Sequence, residues 1–177
     1  MNDHEDAARV EHRMERTYEL AATPEEVWQV LATADGISSW MAPTRLDPRV
    51  GGEVVFDLGD ATSVGTITDY SPGSRFAYEE PWPIAEQPED LAPEMAQWFE
   101  GIGVGLPEVY AGLPLVTPIA TEFLIEAESG GTCVVRVVTS AFGPGADWEH
   151  EFFDQMVESF GPLLDAFAAR FAVGAPR

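Results

Sequence analysis

The stretch DWEHEFFDQMVESFGPLLDAFAARF, residues 147–171, holds six aromatic residues in 25 positions. Trp148, Phe152, Met156, Phe160, Leu163, Phe167 and Phe171 recur at steps of three or four, which draws one apolar stripe along an α-helix. Phe153, Val157 and Leu164 widen that stripe beyond what a surface helix buries. A helix of this kind needs a deep, concave partner, and a series of short strands precedes it. The expectation is an α+β fold in which a curved antiparallel sheet of six or seven strands wraps one long C-terminal helix. An apolar cavity is expected between the two layers.

Working back from the helix, residues 1–12 read as a charged tail and residues 13–20 as a first strand. Thr23-Pro24-Glu25-Glu26 is a capping box with proline at the first helical position, so a helix starts there. Val27, Trp28 and Leu31 supply its apolar face, Asp35-Gly36 ends it, and a second short helix runs through Ile37 and Trp40. Strands follow at 51–58, 62–70 and 75–82, with tight connections at Gly59-Asp60 and Pro72-Gly73. Two more strands, 119–127 and 132–140, meet at Ser129-Gly130-Gly131. Residues 13–177 thus read as one domain, which suits the chain length of 177 residues.

Residues 81–118 depart from this plan. They contain seven of the fourteen prolines, yet they are too apolar for a disordered loop, with Trp82, Ile84, Leu91, Met95, Trp98, Phe99, Ile102, Leu106 and Tyr110 all needing shelter. The segment is read either as a lid over the cavity mouth or as an interface pairing two subunits in a homodimer.

Thirty-one acidic residues face nine basic ones, all arginine, for a formal charge of −22. Nucleic-acid binding is excluded on that balance, because phosphate contacts require basic patches. The absence of lysine removes Schiff-base and P-loop chemistry. One cysteine, Cys133, allows no internal disulfide and reads as a small buried strand residue. No apolar run is long enough for a membrane span, and residues 1–16 do not resemble a signal peptide, so the cytoplasm is the expected location.

Chemistry is sparse. His4 and His12 fall in the expected tail and should be solvated. His150 and Asp154, four residues apart on the last helix, read as a solvated pair, and no metal or cofactor is expected. Gly101-Ile102-Gly103-Val104-Gly105 lies outside any strand–helix unit and is not a nucleotide loop. On the strand 75–82, alternation places Phe76, Tyr78, Glu80 and Trp82 on one face. Were that face inward, burial would raise the Glu80 pKa, which makes Tyr78 and Glu80 the candidate acid–base residues. Arg136 and Glu122 read as an outer cross-strand pair. The residues expected to contact a ligand are Trp40, Met41, Phe56, Tyr78, Trp82, Trp98, Phe123, Phe153, Met156 and Phe160.

Several phrases resemble the START-like (SRPBCC, helix-grip) superfamily, and within it the branch named after the activator of the ninety-kilodalton heat-shock chaperone ATPase. They are Thr23-Pro24-Glu25-Glu26-Val27-Trp28, then Trp40-Met41-Ala42-Pro43, then Val50-Gly51-Gly52. Gly130-Gly131-Thr132, Thr139-Ser140-Ala141-Phe142 and Phe160-Gly161-Pro162-Leu163-Leu164 continue the likeness. The resemblance implies the helix-grip fold and three classes of function, namely a hydrophobic-ligand binder, a polyketide cyclase or aromatase, and a co-chaperone. The aromatic content favours the binder, a protein that holds a lipid-like or aromatic molecule in an internal cavity.

Overall fold

Alternation along the first strand sets the geometry of everything that follows. In the computed structural model, which describes residues 9–82, 117–143, 145 and 147–172, β1 runs Val10–Leu20 and buries His12, Met14 and Leu20 on its inward side. The strand therefore begins three residues before its expected start at residue 13. His12 is not solvated in a tail but buried.

The capping box forms as the sequence requires. The Thr23 hydroxyl accepts from the Glu26 backbone N–H at 3.3 Å, and the Glu26 carboxylate accepts from the Thr23 N–H at 2.9 Å. The helix α1, Pro24–Leu31, then buries Val27, Trp28 and Leu31. It stops earlier than expected, because Thr33 caps a new helix, α2 (Ala34–Ser38), by accepting from the Gly36 N–H at 3.0 Å. Asp35-Gly36 thus lies inside the second helix and does not terminate the first.

Six further strands complete the sheet: β2 (Thr44–Leu46), β3 (Glu53–Asp57), β4 (Thr62–Ser71), β5 (Arg75–Glu80), β6 (Ile119–Ala127) and β7 (Cys133–Gly143). Their order is β1-β7-β6-β5-β4-β3-β2, and every pairing is antiparallel. The three-residue β2, for which the sequence carries no alternation long enough to read, brings the sheet to seven strands.

The long helix α3, Asp147–Ala169, lies against the inner face. Its most buried positions, Glu149, Phe153, Phe160, Leu164 and Phe167, follow one line along the helix. This line is rotated from the expected stripe, so Phe152, Met156, Val157, Leu163 and Phe171 are partly buried beside it. The Trp148 side chain lies outside the described residues. The C-terminal half is fastened to β1, where the Tyr18 hydroxyl donates to Asp165 Oδ1 at 2.8 Å and Arg16 reaches the same oxygen at 3.2 Å. Gly161 makes this approach possible, since a Cβ there would stand 2.6 Å from the Arg16 guanidinium. The helix continues through Pro162, which lies on its exposed side.

The segment 81–118, expected as lid or interface, lies outside the described residues except at its two ends. Those ends are joined. The Trp82 indole donates to the Thr117 carbonyl at 2.7 Å, and Thr117 exchanges hydrogen bonds with the backbone of Phe142.

Candidate functional site: the inner face of the sheet

Register places the inward side chains of β5, β6 and β7 in rows that cross the sheet. Phe76 faces Phe123, and Phe123 faces Val137. One step along, Tyr78 faces Thr121, and Thr121 faces Thr139. A further step brings Glu80 opposite Ile119. A polar row thus crosses the middle of an apolar face, at the spacing where cross-strand side chains touch.

The polar row is closed to water, with Tyr78, Thr121 and Thr139 all buried. The two threonine hydroxyls lie 3.2 Å apart, and Thr121 faces Tyr78 across the β5–β6 pair. Burial pushes the Tyr78 phenol well above its ordinary value, and the charge of Glu80 adds to that push. The phenol is therefore held neutral, as a hydrogen-bond donor. Phe56 and Phe76 flank it at ring separations of 5.4 and 5.5 Å.

Glu80 is half-buried at the end of its strand. Burial raises its carboxyl pKa, partly opposed by the Ser63 hydroxyl, which donates to it. The face that carries Phe76, Tyr78 and Trp82 is the inner one. Glu122 and Arg136 both lie on the outer face but do not pair with each other. Glu122 accepts from Arg75 Nε at 3.0 Å, while Arg136 stands 3.8 Å from Glu15.

The other expected ligand contacts divide between the layers. Phe56 and Phe123 are buried in the sheet, and Phe153 and Phe160 in the helix. Trp40, Met41 and Met156 are half-buried, and Trp98 lies outside the described residues. Trp40 donates its indole N–H to the Val30 carbonyl at 3.1 Å and stacks on Phe160 at 6.5 Å. Among the described residues, the rings of α3 pair with Trp40, His12 and Trp82 and with Phe171 just beyond the helix. None pairs with Phe56, Phe76, Tyr78 or Phe123.

A second buried polar group closes one end of the layer. His12 Nε2 lies 2.8 Å from Glu149 Oε2, which also accepts from the Gly145 N–H at 3.3 Å. The imidazole packs edge-on against Trp82 and against His150, with His150 exposed above it. Among the described residues no three His, Cys, Asp or Glu side chains converge as metal ligands.

Neither this pair nor the threonine row was read from the sequence, although a signal for each exists. Glu149 stands four residues before Phe153 on the buried line of α3, and His12 two before Met14 in the inward alternation of β1. Thr121 alternates with Ile119, Phe123 and Ile125.

Residues 21–172 match the family model described as Activator of Hsp90 ATPase homolog 1-like protein. The chain belongs to this family. The match leaves out β1, and with it His12, but includes the whole row of inner hydroxyls. Protein MLL2253 from Mesorhizobium loti has a similar structure, with a TM-score of 0.60 at 14% identity over 91% of this chain and 99% of that one. The Aha1 dimer from Colwellia psychrerythraea aligns at 0.55 and 16% identity over 96% and 99%. CalU16 from Micromonospora echinospora aligns at 0.57 and 14% over 96% and 87%. No curated protein matches the sequence. At these identities the likeness shows the helix-grip fold common to the Activator of Hsp90 ATPase homolog 1-like family. Among the described residues, no helix is long and apolar enough to cross a membrane.

Proposed function

We propose that the space between the inner sheet face and α3 receives a hydrophobic small molecule, and that the chain is a cytoplasmic binding protein. The observation that carries this reading is the row of buried hydroxyls on an aromatic face whose rings have, among the described residues, no ring partner in the facing helix. An inner face of this composition matches what small-molecule sites use, an apolar lining with a few fixed polar groups. Half-buried Trp40, Met41 and Met156 would then line the approach. Native mass spectrometry of freshly purified protein tests the reading, supported by thermal melts with hydrophobic compounds. A retained organic mass, or a melting temperature that climbs with compound concentration, is the expected result. Melts unmoved by any of a broad set of apolar compounds would end the proposal.

Family membership supports a second reading, a domain that engages a chaperone ATPase, as the family description names for its prototype. A charge of −22 suits a basic patch on such a partner. Binding to purified Hsp90 that weakens steeply with salt would favour it, and chaperone ATPase rates unchanged by the protein would count against it. A homodimer is proposed on the likeness to the Colwellia protein, and light scattering in solution tests it.

A further inference from the structure

Three hydroxyls stand side by side on β5, β6 and β7, and together they carry three protons. Thr121 meets Thr139 at 3.2 Å and faces Tyr78 across the β5–β6 pair, so at most two contacts join the three groups. A chain of three hydroxyls with two links uses two donors and leaves one O–H unspent at an end. Among the described residues no other hydrogen-bond partner meets these three. A buried donor without an acceptor is costly, so the arrangement is incomplete unless something else supplies an oxygen. The tyrosine end is the one placed between aromatic rings, with Phe56 at 5.4 Å and Phe76 at 5.5 Å.

We infer that the row Tyr78–Thr121–Thr139 is the polar recognition point of the inner cavity, and that it selects a neutral aromatic molecule bearing an acceptor oxygen, such as an aryl ketone or ester. The inference rests on the small-molecule reading given above and adds to it the class of ligand. The flanking rings favour a flat aromatic body. Charge sets the neutrality. Glu80 stands one row away on the same face, and Arg16, the cation on the inward side of β1, is already engaged by Asp165. A carboxylate entering this face would therefore meet a negative neighbour and, among the described residues, no free cation.

Three naphthalenes of nearly equal shape provide the probes: 2-acetylnaphthalene, 2-ethylnaphthalene and 2-naphthoate. Dissociation constants are measured by quenching of tryptophan fluorescence on the full chain, its Tyr78→Phe variant and its Thr121→Val variant. The ketone should bind the wild type about tenfold more tightly than the ethyl compound, the size of one buried hydrogen bond. 2-Naphthoate should bind more weakly than the ketone. Tyr78→Phe should erase the ketone preference while leaving 2-ethylnaphthalene affinity in place. Thr121→Val keeps the phenol proton but removes the group that orients it, and should reduce the preference by part. Equal binding of ketone and hydrocarbon to the wild type would overturn the inference while sparing the carrier reading, as would a preference undiminished in both variants. Failure of all three probes to bind would overturn the inference, whereas the small-molecule reading falls only with the broad set of apolar compounds.

Discussion

His12 on β1 and Glu149 in the first turn of α3 share a 2.8 Å contact with both side chains buried, and so tie the start of the first strand to the start of the last helix. The two residues are 137 positions apart in sequence, so the contact is purely tertiary. Removing Glu149 takes the carboxylate from the buried imidazole, and removing His12 takes one of the partners of the buried carboxylate; breaking comparable pairs costs about 3 kcal/mol. His12→Ala and Glu149→Ala should each lower unfolding free energy by about that amount, measured by urea denaturation. The double variant should lose clearly less than the sum. Strict additivity, within about 0.5 kcal/mol, would show that the two side chains do not act as a pair.

Gly143 gives a sharper test of the same cluster. A Cβ at this position would stand 2.2 Å from Glu149 Oε2, closer than any real contact. Gly143→Ala should therefore destabilise by about 2 kcal/mol through overpacking, and Glu149→Ala in the same chain should relieve part of that loss. Gly161→Ala is the control. Its Cβ would come nearest to the movable, exposed end of Arg16, which can swing aside, so the change should cost less than Gly143→Ala. Equal damage from both substitutions would remove Glu149 as the cause.

Periodicity made most of the fold legible in the sequence, because period and burial agree along β4 to β7 and the capping box fixes the start of α1. The errors lie where one residue breaks the local rule. Thr33 began a second helix where Asp35-Gly36 looked like a stop, since a cap competes with a turn over the same residues. His12 and Glu149 are ionisable residues at inward positions of apolar patterns, and each becomes intelligible only with its partner in view. The inner row was half readable. Tyr78 was placed by alternation, whereas Thr121 and Thr139 passed as ordinary strand residues because threonine favours strands for steric reasons alone.

Glu80 predicts a pH dependence with a definite sign. Burial holds its folded-state pKa above the ordinary 4.5, so the folded protein keeps this proton longer than the unfolded chain does. The stabilisation from Glu80 is complete below the unfolded value and is lost as pH rises through the raised folded value. Glu80→Gln removes that titration. The variant should match the wild type near pH 4 and become progressively more stable than it as pH rises to 7, in urea titrations at each pH. A gap that stays constant across this range would mean that Glu80 titrates alike in both states.

Two positions on α3 separate a solid helix–sheet contact from an open one. Phe160 is buried and stacks on Trp40, so Phe160→Ala should cost about 3–5 kcal/mol, as truncated core phenylalanines do. Met156 lies one turn earlier, half-buried at the margin of the core. Because it is only half-buried, Met156→Ala should cost less, about 1 kcal/mol, in the ligand-free protein. The same substitution should reduce the stabilisation given by saturating 2-acetylnaphthalene, since the ligand would be the group that Met156 covers. Were Met156 instead wedged against the sheet, its truncation would approach the cost of Phe160→Ala and leave the ligand effect unchanged. The two variants thus distinguish an enclosed space from a filled core by denaturation alone.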